Sequence, residues 1–108
     1  MEALYLVATI AGQPVAVAAE RVDSVVDVAA IAPVPLAPAY VAGLAALRSR
    51  VITMIDPATA LGLRPAAERA TAGRAVIMAE GGHQFGVLVD AVEDVLDLIN
   101  AAQAWPGR

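Results

Sequence analysis

Short apolar stretches punctuated by glycine turns set the pattern of this chain, and the period they follow is that of strands. Leu4–Ile10 and Val15–Ala19 flank Ala-Gly-Gln-Pro, which predicts a β-hairpin. Arg74–Glu80 and Gln84–Asp90 flank Gly-Gly-His and predict a second hairpin of the same kind. In Arg21–Val28 the β-branched residues Val22, Val25, Val26 and Val28 favour strand over helix, and Ala91–Leu98 should share that state. Val51, Ile52, Met54 and Ile55 form another apolar strand. It ends in Asp-Pro-Ala-Thr-Ala-Leu-Gly-Leu, where Asp56 can cap a helix, Pro57 suits the first helical position and Gly62 can terminate it. The proline-rich run from Ile31 to Pro38 is expected to be extended, with a short helical turn over about Ala39–Ala46.

The two hairpins and their following strands repeat at a constant offset of seventy. Gly12 to Val28 aligns with Gly82 to Leu98 without a gap, with identities at Gly12/Gly82, Val17/Val87, Val22/Val92, Val25/Val95 and Asp27/Asp97. A gapless register of this kind indicates internal duplication. The stretch between the copies has no counterpart after the second copy, so the chain reads as one complete unit followed by part of another. The expected division is a first β subdomain over 1–64, a connector over 65–73 and a partial second β subdomain over 74–108. Three strands cannot close a barrel, and an uncovered edge invites completion by another chain, most simply a second copy in a homodimer.

Composition narrows the function classes. A chain of 108 residues with 59% hydrophobic and 17% charged positions is one folded domain with surface suited to protein contacts. Its net charge of −4 and lack of a basic stripe argue against nucleic acid. The twenty uncharged residues from Val28 to Leu47 contain Pro33, Pro35 and Pro38, which argues against a membrane span. There is no cysteine, and Glu2 stands where a signal peptide carries positive charge, so a cytoplasmic location is expected.

The segment Val34–Leu63 resembles the signature region of the bacterial chemotaxis coupling proteins, the CheW-like family. Gly43, Leu47, Arg48, Arg50, Val51, Ile52, Ile55, Asp56, Leu61 and Gly62 stand where that pattern places them, whereas Ala46 and Ser49 replace its Asn and Gly. The resemblance implies a mainly β fold, a CheW-like pair of small β-barrel subdomains with short helices, here with the second subdomain incomplete. Members typically continue well past the position of Leu98, so a short member lacking the usual C-terminal part is expected. It further implies a non-catalytic signalling adaptor in a two-component system, coupling the cytoplasmic tips of chemoreceptors to the regulatory domain of a histidine kinase. Arg48 matches the family arginine implicated in coupling, and the expected partner-binding set is Arg48, Leu47, Arg50, Val51 and Val87. A shortened relative that self-associates or blocks assembly is the alternative, and a small-molecule-binding barrel a third reading.

Catalytic chemistry finds little support in the residues. His83 is the chain's one histidine and falls in a predicted turn, and a lone histidine cannot assemble a nucleophile, base and orienting group. Glu93, Asp94 and Asp97 resemble a metal cluster, but the repeat pairs Glu93 with Asp23 and Asp97 with Asp27, which reads as a solvated strand face. Neither a phosphate-binding glycine loop nor a calcium loop is present, so no catalytic residue, cofactor or metal is expected. Trp105 follows an apolar run and could either close a core or dock on a partner.

Overall fold

The computed structural model of the chain describes residues 4–65 and 70–97, and of residues 93–97 the backbone alone. Its elements run β1 (Leu4–Ile10), β2 (Gln13–Ala18), a 3₁₀ turn (Ala19–Arg21), β3 (Val22–Val28), β4 (Val41–Leu47), β5 (Arg50–Ile55), α1 (Pro57–Ala60), β6 (Gly73–Glu80), β7 (His83–Val89) and β8 (Ala91–Asp97). The strands form two sheets, ordered β2-β1-β8 and β3-β6-β7-β5-β4. Every pairing is antiparallel except that of β5 with β7.

The expected hairpins are β1–β2 and β6–β7, and the repeat is visible in their geometry. Both two-residue loops put both residues in the left-handed region, Ala11 (φ 50°) and Gly12 (φ 80°) in one, Gly81 (φ 58°) and Gly82 (φ 82°) in the other. That is the type I′ conformation, whose twist matches the strands it joins. Tyr5↔Ala18 through Ile10↔Gln13 in the first hairpin correspond one for one, at the offset of seventy, to Ala75↔Leu88 through Glu80↔His83 in the second.

The third strands are exchanged. β3, from the first repeat, pairs with β6 of the second, and β8, from the second, pairs with β1 of the first. Even the irregularity repeats. Val22↔Met78 and Ser24↔Ile77 skip Asp23, and Val92↔Ala8 and Asp94↔Val7 skip Glu93. Each sheet therefore holds strands from both the 1–64 and the 74–108 segments. β8, the last strand of the second repeat, finds its partner in β1 of the first.

Two apolar clusters hold the layers together. Met54, Ala75, Ile77, Leu88, Ile52, Ala45, Ala42, Ile31 and Val28 fill the concave side of the five-stranded sheet. Leu6, Ala8, Ile10, Val76, Val89 and Ala58 lie between its other side and the three-stranded sheet. β6 feeds both, with Ala75 and Ile77 in one cluster and Val76 in the other, so its apolar run is continuous where a half-exposed strand would alternate.

The helical turn expected over Ala39–Ala46 is instead β4. Alanine is the best intrinsic helix former, but propensity amounts to less than about 1 kcal/mol per residue and pairing on both sides outweighs it. β4 bonds β5 along its length, while Ala32 and Leu44 exchange two main-chain bonds of 2.8 Å on the other side. Gly43 (φ 149°) makes this approach possible, since a Cβ there would stand 2.1 Å from the Ala32 carbonyl oxygen. The proline run is not uniformly extended either. Ala37 N–H donates to the Val34 carbonyl at 3.3 Å, with Pro35 second and Leu36 (φ 66°) third in the turn, the type II arrangement, and Leu36 projects fully into solvent.

The helix expected from Asp-Pro-Ala-Thr is α1, capped as its residues suggested. The Asp56 carboxylate accepts from Ala58 N–H (3.1 Å) and Thr59 N–H (3.4 Å), and from Arg64 Nη1 at 2.7 Å, while Asp56 itself is 1% exposed. Asp56 N–H donates to the Tyr40 carbonyl, which ties the start of β4 to the end of β5.

Two stability outcomes follow from this geometry. Ala11→Gly should raise unfolding free energy by about 0.5–1 kcal/mol and Gly81→Ala lower it by a similar amount in urea melts, because both residues sit in the left-handed region. Asp56→Ala should cost about 2–3 kcal/mol, losing cap and ion pair together, and Asp56→Asn about half of that in the same melts, since an amide oxygen can still cap.

Candidate interaction cleft

The edges of the five-stranded sheet, β3 and β4, curl toward each other without joining, and the gap between them is a cleft of about 600 Å³. β3 contributes Asp23, Ser24, Val26 and Asp27, the β4–β5 turn contributes Leu47 to Arg50, and Ile52, Ile77 and Gln84 complete it. Its floor is the open end of the apolar cluster, since Ile52 and Ile77 are buried members of that cluster and Val26 and Leu47 pack against it. Its rim is polar and carries charges of both signs.

Side-chain contacts cross this rim. Arg50 Nη1 donates to Gln84 Oε1 at 2.7 Å, and Gln84 Nε2 donates in turn to the Asp23 carboxylate, so β5, β7 and β3 are linked over the top of the floor. Asp23 reaches that position because it is the extra residue of the bulge in β3, where the local break in alternation re-aims a side chain. Arg74 Nε donates to Asp27 Oδ1 at 3.0 Å, and this hydrogen bond, with the attraction of the carboxylate, raises the Arg74 pKa above its ordinary value.

Arg48 differs from every other described arginine. Arg21 meets Glu80, Arg64 meets Asp56, Arg74 meets Asp27 and Arg50 meets Gln84, whereas Arg48 has no hydrogen-bond or ion-pair partner among the described residues. It is exposed and occupies the left-handed region (φ 53°) in the two-residue turn between β4 and β5. The family pattern has glycine at the position of Ser49, and the positive φ here falls instead on the arginine itself, a conformation that costs an L-residue roughly 1 kcal/mol or more.

Of the five residues expected to bind partners, Leu47, Arg48 and Arg50 come together in the cleft. Val51 and Val87 do not line it. Strand alternation places them on the opposite face of the same sheet, where Val51 is 69% exposed and Val87, paired with Ile55, is half-buried. Asp23, Asp27 and Gln84 belong to the cleft but were read as solvated positions or not singled out. The signal for Asp23 was its place in a strand whose pattern fits no clean period, which is what a bulge produces.

Among the described residues no three metal-ligating side chains gather, and no helix is long and apolar enough to cross a membrane. His83 is exposed at the start of β7. The side chains of Glu93, Asp94 and Asp97, and all of Trp105, lie outside the described residues.

Comparison with known proteins follows the same architecture. A family model described as a CheW-like domain matches residues 4–106. A probable chemotaxis protein CheW of Rhizobium etli is 43% identical over 63 residues, covering 57% of this chain and 39% of that protein. The chemotaxis protein CheW of Rhizobium meliloti is 40% identical over 65 residues, covering 59% of this chain and 41% of its own length. The crystal structure of the scaffolding protein TtCheW from Thermoanaerobacter tengcongensis matches with a TM-score of 0.77 at 26% identity, over 90% of this chain and 62% of that one. The chain thus spans about two fifths of the curated relatives it matches.

Removing the Gln84 bridge tests how rigid the rim is. Gln84→Ala should lower stability by less than about 1 kcal/mol in urea melts, because both of its bonds are solvent-exposed.

Proposed function

The chain belongs to the CheW-like domain family, and we propose that it acts as a non-catalytic chemotaxis scaffold in the cytoplasm, joining a histidine kinase regulatory domain to a chemoreceptor tip. The observation that carries this reading is Arg48, the one described arginine without a partner among the described residues, held in a strained turn on the rim of an open apolar cleft. Strained conformations cluster where a protein binds something, and arginine beside an apolar pocket is a frequent anchor of protein interfaces.

The geometry suits a protein partner better than a small substrate. The cleft is open, its floor is made of Val26, Leu47, Ile52 and Ile77, and no histidine lines it. An apolar side chain from a partner can seat on that floor while Arg48 meets a carboxylate at its edge. The remaining rim charges already have hydrogen-bond partners within the chain, Arg50 and Asp23 through Gln84 and Asp27 through Arg74, which leaves Arg48 as the rim cation open to a partner's carboxylate. Val51 and Leu44 expose a second apolar surface on the other face of β4 and β5, a separate place for the second of two partners.

Calorimetric titration against a histidine kinase regulatory domain tests the proposal. Saturable binding is expected, and Arg48→Glu should weaken it by more than about 1 kcal/mol with the melting temperature nearly unchanged. Arg48→Gly should weaken binding too while raising stability by about 0.5–1 kcal/mol, since it relieves the positive φ. Parent and variants binding alike would remove Arg48 from the interface.

A further inference from the structure

The floor of the cleft is almost sealed. Ile77 is 2% exposed and Ile52 6%, although both line a space of about 600 Å³ that opens to solvent. The side chains that lie above them are those of the rim, and one of these, Gln84, reaches across the sheet. Strand alternation puts Gln84 on the concave face of β7, opposite Ala79 of β6. The small side chain of Ala79 leaves Gln84 free to pass over β6 to Asp23 on β3, two strands away, while its carbonyl end meets Arg50 on the neighbouring β5. Arg50, Gln84 and Asp23 thus form a chord across the curled sheet.

The chemistry of the chord is specific. A guanidinium only donates and an ionised carboxylate only accepts, so the group between them must do both, and a primary amide does. Asp23 is brought to its end of the chord by the bulge in β3. The duplication shows that the chord is added to the framework and is no part of it. At the offset of seventy, the counterpart of Gln84 is Pro14, whose ring can neither donate nor accept. No main-chain pairing joins β3 to β4 or β5 among the described residues, so nothing in the ladders holds the mouth of the curl. Both bonds of the chord face solvent, where water competes for each partner and release costs little.

We propose that Gln84 is a strap that holds the cleft closed, and that an apolar side chain reaches Ile52 and Ile77 only once Gln84 has let go of Asp23. The proposal rests on the scaffold reading for what enters, a partner that presents an apolar residue beside a carboxylate for Arg48. The fraction of molecules with the strap released then scales the apparent affinity, and a chain without the strap binds more tightly.

Accessibility of the floor tests the strap with no partner present. The chain has no cysteine, so Ile77→Cys carries a single thiol whose reaction with a water-soluble disulfide reagent reports opening. Adding Gln84→Glu keeps the shape of the side chain but removes the donor to Asp23, and labelling should speed up at least about fivefold with the melting temperature nearly unchanged. Asp23→Asn should leave the rate within about twofold, because an amide oxygen still accepts from Gln84. Should Ile77→Cys fail to fold, relaxation of the Ile52 and Ile77 methyl groups by a soluble paramagnetic chelate reads the same exposure in the parent chain and in Gln84→Glu. Against a histidine kinase regulatory domain, Gln84→Ala should bind at least about threefold more tightly than the parent. Unchanged floor exposure in Gln84→Glu overturns the proposal, as does an equal rise in Asp23→Asn or an equal, measurable affinity of Gln84→Ala and parent. A floor that opens in Gln84→Glu while neither parent nor Gln84→Ala binds the kinase domain upholds the strap and sinks the scaffold reading instead.

Discussion

Everything in this fold depends on the exchange of third strands between two copies of one hairpin. An isolated two-stranded hairpin is marginal in water, and a third strand with an apolar face is what makes such a unit stable. Here neither repeat supplies its own. β3 leaves the first hairpin through the 3₁₀ turn at Ala19–Arg21 to pair with β6, and β8 leaves the second through Asp90 to pair with β1. Asp90 fixes that second corner against the first hairpin, its N–H donating to the Thr9 carbonyl at 2.7 Å and its carboxylate accepting from Gly12 N–H at 3.2 Å. The two repeats are thus obligatory partners, and the buried strand β6 belongs to both apolar clusters at once.

The asymmetry laid over this framework creates the candidate interaction cleft. Between the repeats the chain inserts β4, β5 and α1; β5 adds a parallel strand to β7, β4 forms the outer edge of that sheet, and Ala58 of α1 joins the cluster between the two sheets. The β4–β5 hairpin does not pair with β3, and the gap between them exposes the end of the cluster as the floor of the cleft. A turn of only two residues closes the β4–β5 hairpin, and it places Arg48 on the rim, where it has no hydrogen-bond or ion-pair partner among the described residues. Asp56 anchors the insert, bonding the start of α1, Arg64 and, through its N–H, Tyr40.

Much of the site was legible because short-range rules govern it. Leu47, Arg48 and Arg50 sit around a tight turn, and residues so close in sequence stay close in space whatever the rest of the chain does. Val51, from the same family pattern, and Val87, from outside it, stand on the sheet's other face, since successive strand residues point in opposite directions. Asp23 and Gln84 were not legible as site residues. Their place at the rim depends on a bulge and on contacts across 61 residues of chain, neither of which has a local signature.

The sequence by itself determined the strands, their turns, the Asp56-capped helix and the duplication, because each rests on local sterics or on an alternation read within a few residues. Only the tertiary structure decided which strands are neighbours. An alternating pattern fixes which face of a strand is buried but not which strand lies beside it, and β3 would satisfy its pattern equally well next to its own hairpin. Close packing also overrode local preference in the alanine-rich stretch Val41–Leu47, where pairing with β5 and the approach of Ala32 to Gly43 made a strand of residues that alone favour helix. The cleft exists because two edges, distant in sequence, curl toward each other and stop short, which is a property of the assembled sheet and of no single segment.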